Sequence, residues 1–410
     1  MDVDGAAWSW PGGGVTEVPY AIYTDPGIFA REMERIFAGS GWAYVGLEAE
    51  IPEPGDYLVT RIGDRSVVIA RDEEGAIHGF ANRCAHRGVK VCRQRQGNAR
   101  LFVCPYHQWS YDARGRLRGV PFINGVRQQG GMPEGFARED HNLPGLSITS
   151  RGGVIFASFS ATAPRLEKYL GDTNLAYFDR VFDGRPLKVL GYSRQRIPGN
   201  WKLMFENIKD PYHASLLHVF LVTFGLFRAD QPAQVRMDAS GAHGLLISRR
   251  GEQRATDDTR EMSSMKDDFA LADARLLDPV KEFGDDATVV MQTIWPNLIV
   301  QQQSNTLALR QIQPLDPGRF ELHWTFFGYG DDDEDMTLRR LRQANLMSSA
   351  GLVSADDSEV IKLAQDGVDR YRDDVGIMLM GGRGTDDENH MVTETAIRAF
   401  YGHYRRVMGL

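Results

Sequence analysis

Four side chains constrain this chain more than any other feature, because they form two short motifs with metal-ligand spacing. Cys84 and His86 make a Cys-x-His motif, and seventeen residues later Cys104 and His107 make a Cys-x-x-His motif. Thiolate sulfur and imidazole nitrogen are ligands that zinc and iron both accept. Each motif fits within one tight turn that presents one sulfur and one nitrogen to the same point. The pattern therefore predicts two loops that close on a shared metal centre.

The way the ligands are divided between the loops separates two kinds of centre. A structural zinc site can use the same four ligands, but it usually places both cysteines together and both histidines together. A Rieske [2Fe–2S] cluster has two cysteines on one iron and two histidines on the other. Because each loop here supplies one of each, the pattern favours the Rieske cluster. Cys92 belongs to neither motif, and we expect it to be a small buried apolar residue.

A second pair of histidines, His213 and His218, lies five residues apart. On a regular helix that spacing rotates the two side chains by about 140° relative to each other. Shared ligation therefore requires a distortion between them, such as a π-bulge or a helix end, and Pro211 independently marks local irregularity. Two histidines and one carboxylate form the facial triad of non-haem Fe(II) oxygenases. The alternative is a pair of ordinary, partly buried histidines.

The carboxylate of such a triad has to come from elsewhere in the chain. Asp356 and Asp357 are the candidates, and spacing alone does not choose between them. Either could equally be a solvated N-cap of the helix that we expect to follow them.

The pattern of secondary structure predicts two domains. Residues 42–160 consist of short apolar segments separated by Gly, Asp and Pro, which is typical of an antiparallel β domain. In residues 1–41 and 161–410 helices and strands come in separate blocks, so the overall class is α+β. Residues 228–275 are uninformative. The predicted helices are Pro26–Phe37 with Asp25 as its N-cap, a stretch around 200–220, Asp335–Ala350, Asp357–Asp366 and Thr393–Met408. The predicted strands are Tyr57–Arg61, Ser66–Arg71, Val154–Ser158, Ala287–Ile294, Leu298–Gln303, Thr306–Gln313 and Phe320–Tyr329, with a hairpin turn at Ser304-Asn305.

Composition excludes several other classes of protein. The 410 residues are 42% hydrophobic and 25% charged, which fits a globular protein with a sizeable core. A net charge of −8 argues against nucleic-acid binding. There is no run of eighteen apolar residues, so no membrane span is expected. The acidic N-terminus lacks a signal-peptide pattern, and three cysteines are too few for a disulfide framework, so we expect a cytoplasmic location.

Beyond these motifs, the chain from about residue 16 onward resembles the large (α) subunits of Rieske non-haem iron aromatic-ring-hydroxylating oxygenases. Within that family it is most similar to the salicylate 5-hydroxylase large subunits, and less closely to those of terephthalate and anthranilate dioxygenases. The resemblance implies an N-terminal all-β Rieske domain followed by a helix-grip catalytic domain, in which helices pack on an antiparallel sheet. The segments that carry it are 44–52 (YVGLEAEIP), 182–186 (FDGRP), 194–204 (RQRIPGNWKLM) and 390–395 (HMVTET).

The resemblance also assigns roles to the metal ligands. Cys84, His86, Cys104 and His107 match the cluster ligands, and His213 and His218 match the iron histidines. The family pattern A-G-x-x-x-x-D-D, with its register fixed by Ala350-Gly351, makes Asp357 the third iron ligand.

Asp210 matches an aspartate that joins the two metal centres across a subunit boundary. In the family it hydrogen-bonds a Rieske histidine of one subunit, here His107, and an iron histidine of its neighbour, here His213. Such an interface must close into a ring, and the family's usual ring is a trimer, expected here with a small β subunit.

The activity implied by the resemblance is hydroxylation of an aromatic ring with O₂. Electrons would come from NAD(P)H through a separate reductase and a ferredoxin, since no G-x-G-x-x-G fingerprint is present. The favoured reaction converts salicylate to gentisate. The alternative is ring dioxygenation of anthranilate, terephthalate or another substituted benzoate.

A benzoate-type substrate needs a partner for its carboxylate. Arg310 is the candidate, because it shares a strand face with Thr306 and Ala308 and a guanidinium holds a carboxylate bidentately. Related terephthalate oxygenases have a basic residue where this chain has Met391, so we expect a monocarboxylate. Four apolar residues are further pocket candidates: Phe205, Leu217, Val300 and Leu352. Trp109 and Tyr111 are expected to shield the cluster from solvent.

Overall fold

The computed structural model describes residues 10, 12, 14–127, 129–250 and 270–410. The chain divides into two compact units. The β unit comprises residues 37–164, and the α+β unit comprises the residues up to 36 together with 165–410. The domain boundaries taken from the sequence, residues 42 and 160, stay a prediction about independently folding parts.

The segment before the β unit begins with strand β1 (Glu17–Pro19) and helices α1 (Ala21–Thr24) and α2 (Pro26–Glu32). The predicted start of the second helix is confirmed, because the Asp25 side chain accepts a hydrogen bond of 2.8 Å from the Ile28 N–H and Pro26 occupies the first turn. The helix then widens into a π-helical turn over Met33–Phe37.

The β unit is an antiparallel sheet with a small second sheet beside it. Its strands are β2 (Ala43–Leu47), β3 (Asp56–Ile62), β4 (Arg65–Arg71), β5 (Ile77–Ala81), β6 (Gln96–Asn98), β7 (Phe102–Val103), β8 (Ser110–Tyr111), β9 (Leu117–Gly119), β10 (Gly145–Arg151) and β11 (Val154–Ser158). The large sheet has the order β2-β11-β10-β5-β4-β3-β6, and the small one β7-β8-β9. The three strands predicted here are therefore confirmed.

An aromatic core joins the two sheets of the β unit. Phe102, which begins β7, packs edge-on against Tyr57 and Phe80 with ring centroids 5.2 and 5.4 Å apart. Cys84 and Cys104 belong to the same buried cluster. Because buried aromatic rings contribute heavily to core stability, the loops that carry these two cysteines are anchored on a rigid base.

The α+β unit wraps helices around a seven-stranded antiparallel sheet. Its helices are α3 (Leu166–Leu170), α4 (Asp172–Val181), α5 (Trp201–Lys209), α6 (Ala214–Leu217), α7 (Val219–Thr223), α8 (Glu334–Met347), α9 (Leu352–Val368) and α10 (Thr395–Met408). Its strands are β12 (Leu187–Ile197), β13 (Ala233–Met237), β14 (Gly244–Arg249), β15 (Ala287–Ile294), β16 (Leu298–Gln303), β17 (Thr306–Asp316), β18 (Arg319–Tyr329) and β19 (Val375–Ile377). The sheet order is β12-β18-β17-β16-β15-β14-β13, and β19 pairs with β1.

The four strands predicted in this unit are confirmed, and β15 and β16 have the predicted bounds. The turn at Ser304-Asn305 is confirmed as well, since Gln303 pairs with Thr306 across it. Strands β13 and β14 lie in the segment where the sequence pattern was uninformative, and residues 251–269 of that segment lie outside the described residues. None of the helices in the described ranges is long and apolar enough to cross a membrane.

Helix α9 differs from its prediction in a way that matters for the metal site. It begins at Leu352, with Gly351 as its N-cap, rather than at Asp357. The interpretation of Asp356 and Asp357 as N-caps was therefore wrong, because both lie in the second turn of the helix. Asp357 is only 7% exposed. A buried carboxylate is stable only when a hydrogen-bond donor, a cation or a metal ion lies next to it.

Candidate metal centres

The two cysteine-histidine loops of the β unit have the same backbone hydrogen-bond pattern. In each, the cysteine N–H donates to the carbonyl five residues on, and the N–H four residues on donates back to the cysteine carbonyl. These bonds are Cys84 to Val89 at 2.8 Å and Gly88 to Cys84 at 2.9 Å in the first loop, and Cys104 to Trp109 at 2.8 Å and Gln108 to Cys104 at 3.0 Å in the second. Two equivalent turns thus support the two halves of one centre.

The four side chains are placed as a two-iron cluster requires. Both cysteines are buried, whereas His86 is exposed and His107 is partly exposed. The two imidazole rings meet with centroids 4.5 Å apart, at an interplanar angle of 67°. Buried thiolates on one iron and surface imidazoles on the other would give electrons a short route through the histidine side.

Trp109 and Tyr111 contact the ligands directly. The Trp109 indole stacks on the His86 ring, with centroids 4.9 Å apart and planes 7° from parallel. The Tyr111 hydroxyl lies 3.3 Å from the Cys84 sulfur and accepts a hydrogen bond of 3.2 Å from the Ala85 N–H. Tyr111 is therefore more than the shield expected from the sequence, because its hydroxyl proton is left to donate to a ligand sulfur.

The chain around His213 and His218 contains the distortion that their spacing requires. Helix α5 ends at Asp210, whose φ and ψ are −108° and 82°. One turn of helix, α6, follows, and His218 interrupts the path again with φ and ψ of −90° and 84° before α7. The irregular backbone lets both rings turn to the same side.

Helix α9 brings Asp357 to these two rings. The Asp357 Oδ1 lies 3.5 Å from His213 Nε2 and 3.2 Å from His218 Nε2. One ligand atom from each of the three residues lies within 4.8 Å of the others. Burial disfavours a charged Asp357, but the two histidines outweigh it and hold its pKa well below the ordinary value. The donor set of two imidazoles and one carboxylate fits a mononuclear non-haem iron.

Two further residues support this triad, and sequence reasoning did not assign either role. Asn207 Nδ2 donates to Asp357 Oδ1 at 3.0 Å and lies 3.3 Å from His213 Nε2. The Asp356 carboxylate lies 3.2 Å from His218 Nδ1. A carboxylate on the second ring nitrogen fixes the tautomer that presents Nε2 to a metal. The Asp-Asp pair thus supplies one carboxylate to the site and one to a histidine of the site.

Asp210 contacts His213 differently from the expectation. Its carboxylate lies 3.9 Å from His213 Nδ1, which is too far for a hydrogen bond, and its backbone carbonyl accepts from that nitrogen instead. The tight turn after α5 explains this, because it points the carbonyl back at the ring. Among the described residues Asp210 Oδ1 is buried without a partner. Burial raises the pKa of this carboxyl to about 6.

A cavity that is open to solvent adjoins the triad. Helices α5 and α9 and the α6–α7 segment form one side, and one face of strands β14–β17 forms the other. Its walls are mostly apolar and include Ala214, Leu221, Phe227, Leu246, Val289, Met291 and Val353, and its polar groups include Asn207, Gln303 and Arg310. An apolar cleft with a few polar groups is typical of a small-molecule site.

Arg310 lines this cavity together with the triad, and its role as the carboxylate partner stays a prediction. It is 5% exposed, and its guanidinium stacks over the Trp324 ring at 4.2 Å. Its Nε donates to Gln301 Oε1 at 2.7 Å, and its Nη2 donates to the same oxygen. Within the described ranges no carboxylate forms an ion pair with it. Burial lowers its pKa to about 10, so the group stays cationic at neutral pH.

The four apolar pocket candidates lie elsewhere. Val300 is buried on the opposite face of β16 from Gln301 and Gln303, because successive strand residues alternate. Leu352 is 63% exposed at the start of α9, where its neighbour Val353 faces the cavity instead.

The other two candidates belong to helical segments. Phe205 packs on Phe400, with ring centroids 5.7 Å apart, on the far side of α5. Leu217 lines an open groove that shares Asn207, Asp210 and His213 with the cavity. Met391 is fully buried in the apolar cluster behind the cavity, so the position of the basic residue in terephthalate oxygenases is hydrophobic here.

Comparison with known proteins agrees with both centres. Residues 41–129 match the Rieske [2Fe-2S] domain family, and residues 182–410 match the family described as ring hydroxylating alpha subunit (catalytic domain). The Rieske interpretation of the first centre is therefore confirmed, and the zinc alternative was wrong. The chain carries a [2Fe–2S] cluster domain and a domain that binds mononuclear iron.

Whole-chain relatives have related activities. The chain is 51% identical over 406 residues to the salicylate 5-hydroxylase large oxygenase component of Ralstonia sp, a match that covers 98% of this chain and 96% of the relative. It is 42% identical to the anthranilate 1,2-dioxygenase large subunit of Burkholderia cepacia, covering 96% and 94%. The crystal structure of naphthalene 1,2-dioxygenase from Rhodococcus sp. bound to indole aligns with a TM-score of 0.78 at 26% identity, over 96% of this chain and 94% of that one. The predicted α+β class, with a Rieske domain and a catalytic domain, is confirmed, and the chain belongs to the family of large (α) subunits of Rieske aromatic-ring-hydroxylating oxygenases.

Proposed function

We propose that this oxygenase hydroxylates salicylate at C5, para to the phenolic hydroxyl, and releases gentisate. The observation that carries the proposal is Arg310, a buried guanidinium in the iron cavity with no carboxylate partner among the described residues. A buried cation without a counter-ion is costly, and a substrate carboxylate would remove that cost. The name of the Ralstonia relative supports salicylate among the possible benzoates.

In this proposal Cys84, His86, Cys104 and His107 hold the cluster, and His213, His218 and Asp357 hold the iron. The cluster supplies electrons and the iron activates O₂ when both are bound. The net reaction consumes salicylate, O₂, NAD(P)H and a proton and yields gentisate, NAD(P)⁺ and water. Arg310 binds the carboxylate through two N–H groups and so fixes the orientation of the ring. The apolar walls exclude water from the reacting carbon.

The electron donors are proposed to be a ferredoxin and an NAD(P)H-dependent reductase, since the chain has no nicotinamide fingerprint of its own. Asp210 is proposed to bridge His107 of one subunit and His213 of the next, with its carboxylate accepting from His107 and its backbone carbonyl accepting from His213. The partnerless, buried Asp210 Oδ1 supports this role, because buried carboxylate oxygens are normally hydrogen-bonded. Repeating the contact around a ring gives a trimer, proposed here to carry small β subunits as α₃β₃.

Product analysis separates this proposal from ring dioxygenation of anthranilate. The oxygenase, reconstituted with ferredoxin, reductase and NADH, is given salicylate, anthranilate, terephthalate and benzoate in turn. Gentisate from salicylate, at the highest kcat/KM of the panel, is the expected result. Catechol formed from anthranilate as the preferred reaction would replace the proposal with the alternative.

The role of Arg310 is tested with Arg310→Met and Arg310→Lys. Losing the bidentate contact to a desolvated carboxylate should raise KM for salicylate about a hundredfold in the methionine variant. The lysine variant keeps the charge without the planar fork and should recover part of that loss. An unchanged KM in both variants, with iron content intact, would show that the carboxylate binds elsewhere.

A further inference from the structure

We propose that Gln303 presents only hydrogen-bond donors to the ring substituent of the bound substrate, so that the cavity selects a hydroxyl over an amino group beside the carboxylate. The inference deepens the proposed function and rests on it, because Arg310 is taken to hold the carboxylate. It follows from a chain of hydrogen bonds that begins at Arg310 and ends at Gln303.

The direction of this chain is set by Arg310. A guanidinium has donors and no acceptor. Both Nε and Nη2 of Arg310 donate to Gln301 Oε1, so the Gln301 amide must have its oxygen toward the arginine. The arrangement uses the Nε–Nη2 edge. The Nη1–Nη2 edge, where Nη1 has no partner in the described ranges and Nη2 lies 3.9 Å from the Met291 sulfur, is left for the two oxygens of a carboxylate.

The orientation of Gln301 then fixes that of Gln303. With its oxygen on Arg310, Gln301 has its Nε2 directed to Gln303, and it donates to Gln303 Oε1 at 3.0 Å. Gln303 Oε1 is therefore directed to Gln301, and the Gln303 NH₂ group is the end of the chain. That NH₂ group makes no hydrogen bond to the described residues, although Gln303 is buried and lines the iron cavity.

Strand pairing places the three side chains on one face of the sheet. On β16, Gln301 lies opposite Ala308 and Gln303 lies opposite Thr306, while Arg310 lies further along β17 on the same face. The residues that flank them across the sheet are apolar: Met291 pairs with Gln301, and Val289 pairs with Gln303. Apart from Arg310 and Gln303, the polar residues that line the cavity are the triad, Asp210 and Asn207, and the Asn207 Oδ1 has no hydrogen-bond partner among the described residues.

A hydroxyl and an amino group ortho to the carboxylate differ in their ability to accept a hydrogen bond from the Gln303 NH₂ group. The salicylate hydroxyl donates its proton internally to the carboxylate and keeps oxygen lone pairs that accept from Gln303. The anthranilate nitrogen has a lone pair delocalised into the ring, and of its two hydrogens one donates internally to the carboxylate and the other needs an acceptor. A buried N–H donor that faces another donor instead of an acceptor costs about 1–3 kcal/mol. This cost corresponds to about a tenfold or greater difference in affinity.

The test compares selectivity in the reconstituted holoenzyme. Gln303→Met keeps the side-chain length and removes both donors, and Gln303→Glu replaces the donors with an acceptor in the same shape. Relative to wild type, the methionine variant should lose about tenfold in kcat/KM for salicylate and little for benzoate, which lacks the ortho group. The glutamate variant should shift the ratio of salicylate to anthranilate kcat/KM toward anthranilate. Calorimetric Kd values for the two ligands should follow the same order.

A matched control is available on the opposite face of the sheet. Gln313 Nε2 donates to Gln311 Oε1 at 2.7 Å, so Gln313→Met also removes a buried glutamine–glutamine bond, but outside the cavity. This variant should keep the wild-type ratio. If wild type hydroxylates none of the benzoates, the proposed function itself fails. If wild type prefers salicylate and both Gln303 variants keep that preference, only the role of Gln303 is overturned.

Discussion

The Rieske loops contain all four proposed cluster ligands within residues 84–107, whereas the proposed iron triad joins two histidines near the end of α5 to an aspartate in α9, far along the chain. In the loops, backbone bonds within each turn already place sulfur and nitrogen together. In the triad, the packing of α9 against α5 sets the distances. The first centre is therefore encoded locally, and the second depends on the tertiary structure of the whole unit.

The largest expected effect follows from removing the one ligand that tertiary packing supplies. Asp357→Ala should abolish mononuclear iron binding and with it turnover, while the visible spectrum of the cluster stays unchanged. Asp356→Ala removes only the carboxylate on His218 Nδ1, so it should weaken iron binding about 10–100-fold without abolishing it. Metal analysis and visible spectroscopy of the purified variants are the measurements. Loss of the cluster in Asp357→Ala would contradict the independence of the two centres.

Asp210 is the residue proposed to link the two metal centres. Asp210→Ala should leave both metals bound but reduce coupled turnover at least a hundredfold, because the bridge between His107 and His213 of adjacent subunits is lost. Rapid-mixing spectroscopy should show a cluster that is reduced normally by the ferredoxin but reoxidised slowly. Asp230→Ala is the control, since that carboxylate pairs with Arg228 away from the triad. Normal reoxidation in Asp210→Ala would remove the bridging role.

The same contrast explains which parts of the two metal centres could be predicted from the sequence. The Cys-His spacing predicted the first centre because both loops are self-contained turns. For the second centre, the five-residue histidine spacing correctly predicted a break in the helix, and α6 and the backbone at His218 provide it. Which acid completes the triad depends on where α9 begins. The helix begins at Leu352, five residues before the predicted start, so Asp356 and Asp357 lie inside the helix and do not cap it.

The pocket walls were harder to predict for a physical reason. A strand or helix residue faces the cavity or turns away depending on a one-residue shift, and hydrophobicity is the same on both sides of a buried element. Leu352 lies next to Val353, which lines the cavity, and Val300 lies on the opposite face of β16 from Gln303, which also lines it. Arg310 could be identified because a charged residue in an otherwise apolar strand marks a face that must meet a partner.

A smaller effect is expected from the buried carboxyl of Glu206, which belongs to the same helix as Asn207. It accepts hydrogen bonds from Tyr23 at 2.8 Å and from Tyr401, and burial raises its pKa from 4.5 to about 7. The pKa of Glu206 is higher in the folded state than in the unfolded state. The protonated carboxyl therefore contributes its full stabilisation below about pH 4.5, and this contribution is lost as the pH rises through 7. Glu206→Gln should thus match wild type at low pH and become more stable above it, by about 1–3 kcal/mol at pH 8.

Melting temperatures from pH 5 to pH 8 check this prediction. The β unit provides a control in Glu50→Gln, because the Glu50 carboxylate accepts a hydrogen bond from the backbone N–H of Leu47. That variant should not gain stability relative to wild type across the range. A constant difference between Glu206→Gln and wild type at all pH values would contradict the raised pKa.

Within the Rieske loops, Tyr111→Phe should change electron affinity rather than assembly. The Ala85 N–H donates to the Tyr111 oxygen, so the hydroxyl proton is available to the Cys84 sulfur 3.3 Å away. A hydrogen bond to sulfur stabilises the reduced cluster, and losing about 1 kcal/mol lowers the reduction potential by about 40 mV. Tyr57→Phe, whose hydroxyl contacts Gln94, is the matched control. Equal potentials in Tyr111→Phe and wild type, measured by redox titration, would leave Tyr111 with a shielding role only.

The smallest expected effect comes from the one difference between the two equivalent loops. The position that closes each turn has a left-handed backbone, with φ of 73° at Gly88 but 56° at Gln108. A non-glycine residue there costs about 1–2 kcal/mol, and glycine costs about 0.5–1 kcal/mol in chain entropy, so Gln108→Gly should stabilise the loop by about 0.5–1 kcal/mol. Gly88→Ala should do the reverse, by strain alone, because nothing lies within 4 Å of the added Cβ. Both effects are measured by the guanidinium concentration at which half of the cluster absorbance is lost. A lower midpoint in Gln108→Gly than in wild type would mean that the Gln108 side chain stabilises the loop by more than its left-handed backbone destabilises it.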